Sequence, residues 1–473
     1  MKNRKKMKAI AITVILAVSV LVMTAVAVAG ADDPPCTCGD ICVNESGWWR
    51  AGADFNASNT PIQHAINNAT AGENICVKDG TYNENVIVNK RLTIRSENGS
   101  DSTIVNAASA SHVFEITADY VNISGFTATG ANRKAGIYLH YVKHCNISDN
   151  NASDNYYGIY LYYSDENTLT RNSASKNWFG IYLHDSGENT LKNNIASENE
   201  NGISLYDSDN NLLTNNIASK NEYGIHLYAS GGNTLKNNSA SKNKYGIYLR
   251  YYSNKNTLMN NTASDNDWGI YLTSSNGNTI YNNYFNNTFN AYDNGENAWN
   301  ITKTPGRNII NGAYLGGNYW HDYTGMDLDN DGLGDTELPY DCFGRIKRGG
   351  DYHPLTSVTA EGGVAVAVHP KVSPITAGGN VYLNIFVIST ENFADTFHVY
   401  LTNESVPPAY RADMRWFNWT SMYVAIPAKG NTTIPLRADI PTGETGTKVF
   451  KVVVESTTWE QSEAFDMGIF VIS

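Results

Sequence analysis

Between about residues 135 and 290 the apolar positions follow neither the 3.6-residue period of an amphipathic helix nor one long alternation; they return on a period of 22. The dipeptide Gly-Ile opens a unit at Gly136, Gly158, Gly180, Gly202, Gly224, Gly246 and Gly269, with five of the six intervals 22 residues long and the last 23. One unit is GIYLHDSGENTLKNNIASENEN, Gly180 to Asn201. Counting columns from the Gly, with the one extra residue of the 23-residue Gly246 unit set aside, Ile is always second, Leu fourth, and Leu or Ile twelfth, while the seventeenth is Ala except for Phe285 in the last unit. Short strands with alternating inward apolar residues give this pattern, and a leucine-rich repeat would show a helix-length period that is missing here. Asn fills the fifteenth column of every unit and is nearly as regular in the tenth and twentieth. Three Asn corners imply three strands and three turns per coil, with Asn supplying left-handed backbone at the corners and amides that bond from coil to coil in a ladder. The nineteenth column (Asp154, Lys176, Glu198, Lys220) alternates in sign and aids register. The expected fold is all-β: a right-handed three-stranded parallel β-helix of 22-residue coils, followed by an immunoglobulin-like β-sandwich.

The flanks set the domain limits. Asn59-Thr60-Pro61 reads as a helix start, and Ile62, Ala65, Ile66 and Ala69 make an apolar face able to cover the first coil. Less regular opening coils follow around Ile75, Val86, Leu92 and Val113. The period fails beyond Asn290, and a Gly-, Trp- and Tyr-rich cap runs to about Leu355. From about Val358, seven short apolar strands separated by Pro and Gly turns predict the sandwich. The expected division is 1–30, 31–57 (Cys-containing), 58–290 (β-helix with capping helix), 291–356 (cap) and 357–473 (sandwich).

Charge and cysteines narrow the setting. The basic MKNRKKMK followed by an apolar run from Ala9 to Ala29 reads as a secretory leader, with an uncleaved N-terminal anchor as the alternative because the run is long. The expected location is therefore the cell surface or the extracellular space. A net charge of −12 with no basic cluster outside the leader argues against a nucleic-acid partner. Six cysteines in an exported chain favour disulfides, and the Cys36, Cys38, Cys42 cluster has no nearby His or second Cys pair to make a metal site. Fourteen Asn-x-Ser/Thr sequons run from Asn44 to Asn431, which export makes available for glycosylation.

The Gly-Ile-x-Leu…Asn-Thr-Leu-x-x-Asn coils resemble the repeats of the NosD-like family, named for a periplasmic copper accessory protein of nitrous oxide reductase. Similar repeats occur in domains described as carbohydrate-binding and sugar-hydrolysing. The pattern is closer to surface proteins of methanogenic archaea, whose repeats end in a segment like Leu315-Gly-Gly-Asn-Tyr-Trp-His-Asp-Tyr323, an Asp-rich loop and a close like Asp351-Tyr-His-Pro-Leu355. The resemblance covers about residues 58 to 355 and implies the fold; families grouped by repeats imply little about chemistry.

Four chemistries can be weighed on the residues. Copper needs soft or imidazole ligands brought together, and no copper site is evident: the ten His are scattered, and His140 and His184 stand two coils, about 10 Å, apart. Polysaccharide cleavage needs paired carboxylates; the weak candidates are Asp185 and Asp207, sharing the sixth column of adjacent coils, with His184 beside them. Arg345-Ile346-Lys347 matches one fragment of pectinase signatures but lacks the partner Asp pair and Gly-His-Gly. Asp327, Asp329, Asp331 and Asp335, with the Leu333 carbonyl, have the spacing of a structural Ca2+ loop that lacks the closing Glu of an EF-hand. Finally, the outward third column (Tyr138, Tyr160, Tyr182, Ser204, His226, Tyr248, Tyr271) and fifth column (His140, Tyr162, His184, Tyr206, Tyr228, Arg250, Thr273) pave one face with rings. Exposed aromatic arrays mark binding surfaces, and a polysaccharide or cell-envelope glycan is the expected partner, with coil-to-coil stacking as the alternative reading. The sequence reads as a non-catalytic binding or structural protein of polysaccharide, with a lyase or hydrolase as the alternative.

Overall fold

The computed structural model describes residues 38–327, 331–356, 364–389, 394–404, 406–458 and 463–473. The segment expected to be a leader, Cys36 and Asp329 lie outside these described residues.

The repeats wind into a parallel β-solenoid with three sheets. The Gly-Ile-x-Leu strands form a ten-stranded sheet from Val86–Val88 to Phe289–Asp293, and the Asn-Thr-Leu strands belong to a thirteen-stranded sheet. The Ile-Ala-Ser strands form a six-stranded sheet from Ile195–Ser197 to Tyr319–Trp320, joined to an earlier three-stranded piece through single bridges at Asn151 and Ser173. Register is one coil to the next without slip, Ile181 opposite Ile203 and Leu183 opposite Leu205. The second, fourth, twelfth and seventeenth columns are buried almost completely, as the period requires. Gly in the first column is a steric necessity, because a Cβ on Gly180 would stand 2.5 Å from the Gly202 carbonyl oxygen.

All three Asn columns are ladders. Asn150 donates from its backbone N and Nδ2 to Oδ1 of Asn172, both at 3.1 Å. The same paired donation carries through Asn194, Asn216, Asn238 and Asn261 to Asn283. These asparagines are buried, and left-handed backbone falls on the residue before each, as at Arg171, Asn193 and Asn215. The expectation that the ladder Asn itself turns the corner is corrected accordingly: the preceding residue turns the chain, which aims the Asn inward.

Each ladder has a direction, since every Asn accepts from the preceding coil and donates to the next. The first members take backbone N–H groups, Phe126 onto Asn150, Ala131 onto Asn155 and Cys145 onto Asn167. The last members need an acceptor with no donors of its own, which a carboxylate is. The fifteenth column continues from Asn283 to Asn318, whose N donates to Asp351 at 2.7 Å. The tenth runs through Asn278 to Asn297, which donates to both Asp293 oxygens at 2.9 and 3.0 Å. The twentieth runs through Asn287 to Asn290, which donates to Asp322 at 2.6 Å. The irregular cap therefore prolongs all three ladders and ends each on an Asp. Asp351 and Asp293 are fully buried, and burial pushes the Asp351 carboxyl up to about 7 against the pull of its Asn318 and Trp320 hydrogen bonds.

At the other end the helix Pro61–Asn68 buries Ile62, Ala65 and Ile66. Its N-terminus is capped from another segment: the buried Glu84 carboxylate accepts from Ile62 N at 3.0 Å and Gln63 N at 2.9 Å. The Cys-containing segment is woven into the solenoid, with Ile41–Asn44 paired parallel to Asn74–Val77. Cys38 is bonded to Cys76, and Cys42 is also in a disulfide. Cys145 and Cys342 are buried in the solenoid core and free, a correction to pairing throughout.

The C-terminal region holds a three-stranded antiparallel sheet and a five-stranded sheet whose shared core includes Val366, Ile385, Phe397, Val399, Phe450 and Phe470. All seven expected strands are there. An eighth, Val372–Ile375, pairs parallel with Glu463–Ile472; Pro374 inside it hid the strand in the sequence.

Candidate functional site

The ten-stranded sheet turns its third and fifth columns outward, in register: Tyr160 opposite Tyr182, Tyr162 opposite His184, His226 opposite Tyr248. Tyr138, Tyr160, Tyr182, His226, Tyr248 and Tyr271 are half-buried, as are Tyr162, His184, Tyr206 and Tyr228. Ring centroids of successive coils lie 5.1 Å apart from Tyr138 to Tyr160 and from Tyr160 to Tyr182, and 4.6 Å from Tyr206 to Tyr228. The Tyr160–Tyr182 and Tyr206–Tyr228 pairs are near-parallel and stacked, while Tyr138 is tilted by 33° to Tyr160, so the rings turn their faces partly to one another. Burial accordingly raises the Tyr138 phenol to about 12 and moves Tyr160 and Tyr182 up as well.

The structure adds rings that the column count left out. The residue before the Gly of five units forms a further ring column, continued by Phe289, in which Tyr157 meets Phe179 at 5.3 Å, Tyr223 meets Tyr245 at 5.3 Å and Trp268 meets Phe289 at 4.6 Å. Beyond the fifth column, Tyr141 and Tyr163 stack at 5.0 Å and are 62 % and 42 % exposed, and Tyr251 and Tyr252 are also exposed. The sequence signal for both was present, an aromatic at a fixed offset from Gly-Ile, but lay one position outside the strand window.

Ring columns break at the fourth coil, where Asn201 and Ser204 replace aromatics. Ser204 Oγ, His226 Nε2 and Arg250 Nε, all on this sheet, are buried without hydrogen-bond partners. Burial drives the His226 imidazole down to about 3, so it is neutral, and Arg250 lies over the Tyr228 and Tyr248 rings at 5.0 and 5.6 Å. Asp185 and Asp207 leave the sheet with left-handed backbone in adjacent coils. His184 Nε2 is 3.4 Å from Asp185 Oδ2, and burial together with the Asp185 charge raises the Asp207 carboxyl.

In the acidic loop, Asp327 is buried and accepts from Asp331 N at 3.1 Å and Gly332 N at 2.7 Å, while Asp331 accepts from Leu333 N at 2.7 Å and pairs with Lys303. Asp335 is exposed. Among the described residues, the group of His, Cys and acidic atoms within metal-binding reach is Cys38, Cys76 and Glu97, whose two sulfurs are joined in the disulfide.

Fold and coil chemistry define a parallel β-solenoid whose ladders and ring-covered sheet come from one 22-residue repeat. Residues 116–325 match the family described as "Periplasmic copper-binding protein (NosD)". A cell surface glycoprotein of Methanothermus fervidus is 44% identical over 94 residues, a stretch that is 19% of this chain and 15% of that protein. Among solved structures, the mannuronan C-5 epimerase AlgE4 A-module of Azotobacter vinelandii is similar with a TM-score of 0.43 and 16% identity, covering 51% of this chain and 75% of its own. The alginate lyase of Paenibacillus sp. str. FPU-7 has a TM-score of 0.36 and 16% identity, covering 50% and 94%.

Proposed function

We propose that this is an exported cell-surface or secreted protein that holds cell-envelope or extracellular polysaccharide on its aromatic sheet without cleaving it. The observation that carries the reading is the run of half-buried rings in register along the solenoid, edged with hydroxyl, imidazole and guanidinium groups. Coils repeat about every 4.8 Å, close to the repeat of a pyranose in an extended chain, so a glycan along the axis meets a similar set of groups at each residue. The surface location rests on the leader in the sequence and the likeness to the Methanothermus glycoprotein.

The test is glycan-array and calorimetric binding by the exported chain. Tyr141→Ser with Tyr163→Ser removes exposed rings, so binding should weaken at least tenfold with an unchanged fold. Tyr160→Ser, Tyr182→Ser and Tyr248→Ser together should abolish binding and also lower the melting temperature, because each ring is stacked on its neighbours. Binding unaltered in folded variants makes the columns purely coil-stacking residues. Turnover of a bound glycan that is lost in Asp185→Asn replaces this reading with the lyase or hydrolase.

For the acidic loop we propose structural calcium. The donors are hard carboxylate oxygens brought into one turn by the backbone hydrogen bonds onto Asp327 and Asp331, and the ion would compete with Lys303 for Asp331.

A further inference from the structure

The fourteen sequons are not alike once folded. The ladder asparagines, with both amide ends bonded and buried, never fall in a sequon; every sequon asparagine with described burial is at least partly exposed. Among these, several have the amide nitrogen already engaged: Asn98 donates to both Asp79 oxygens at 3.0 Å, Asn122 to Thr93 Oγ1 at 3.0 Å, and Asn403 to the Ala412 carbonyl at 2.7 Å. Four asparagines are exposed with side chains that make no hydrogen bond: Asn146, Asn237, Asn286 and Asn431. Asn146 opens a strand of the thirteen-stranded sheet, Asn286 ends one of the six-stranded sheet, and Asn237 sits with φ 57° at the corner between those sheets. The strands of the ten-stranded aromatic sheet contain no sequon asparagine.

We propose that Asn146, Asn237, Asn286 and Asn431 are the N-glycan acceptors of this protein, so that sugar clads the two other solenoid sheets and the sandwich while the aromatic sheet stays bare. In the transfer, Nδ2 attacks the anomeric carbon of an oligosaccharide carried on a lipid phosphate; the C–N bond forms, the C–O bond to phosphate breaks, the lipid phosphate leaves, and Nδ2 gives up one proton. An amide nitrogen held by a carboxylate or carbonyl acceptor is withheld from that attack, which separates Asn98 and Asn403 from the four; Asn44, Asn151, Asn260 and Asn418 are separated by an Oδ1 pinned as a hydrogen-bond acceptor, which fixes the amide in place. The assignment stands on side-chain geometry and is independent of whether the aromatic sheet binds glycan.

The test is glycopeptide mass mapping of the full chain, exported by a host whose other surface proteins are N-glycosylated. The expected result is one glycan on each of the four acceptor peptides, bare Asn98 and Asn403 peptides, and loss of four glycan increments in the quadruple Asn→Gln variant with its melting temperature unchanged. Bare acceptors in that host, or glycan carried by Asn98 and Asn403 instead, overturns the assignment.

Discussion

Replacing Asn216 by Ala takes one rung from the middle of the fifteenth-column ladder. Asn216 is 0% exposed; its Oδ1 accepts from Asn194 N at 2.9 Å and Asn194 Nδ2 at 3.0 Å, and its Nδ2 donates to the Leu191 carbonyl at 2.9 Å and Asn238 Oδ1 at 3.0 Å. Asn238 Oδ1 keeps the Asn216 backbone N–H, so the lasting damage is two orphaned N–H groups on Asn194 and a carbonyl stripped of one donor. At about 1–3 kcal/mol for each of the two orphaned N–H groups, Asn216→Ala should cost roughly 2–6 kcal/mol. The adjacent Asn215 is exposed with φ 56°, and its replacement by Ala loses only the local tolerance for left-handed backbone, about 1 kcal/mol. The pair should be compared by urea denaturation and by hydrogen exchange, since a solenoid unfolds through nearest-neighbour interfaces and the loss should concentrate in the coils around Asn194 and Asn216. Equal destabilisation by the two variants, or unchanged exchange at the Asn194 amide, would falsify the ladder account.

Two further outcomes follow from the cap. Asp351 titrates near 7 when folded against an ordinary 3.8, so between about pH 4 and 7 the folded state keeps a proton that the unfolded chain releases. Stability should therefore rise as pH falls across that window, by up to about 1.4 kcal/mol per pH unit, and Asp351→Asn should flatten the slope in melts from pH 4 to 7.5. Calcium should raise the melting temperature of the chain by binding the folded loop alone, with no rise in Asp331→Ala; a wild-type melt indifferent to calcium and chelator leaves an ordinary acidic turn.

Much of this molecule was legible in its repeat. A 22-residue period with fixed apolar and Asn columns leaves one way to stack coils without slip, so the solenoid, its inward residues, the outward Tyr columns and the ladders all follow from local pattern. The helix at Pro61 and the seven sandwich strands were also readable, because each carries its own start and stop residues. Tertiary structure alone decided what long-range closure requires. Asn297 and Asn318 extend their ladders at intervals of 19 and 35 residues, which no period reveals, and Asp293, Asp322 and Asp351 become ladder ends only because the folded cap brings a carboxylate to the last donor. Glu84 caps the helix from 22 residues away for the same reason. The aromatic sheet stands between the two cases: its columns are written in the sequence, but that the rings face one another, and that buried polar atoms of Ser204, His226 and Arg250 lie among them without partners, depends on packing across coils.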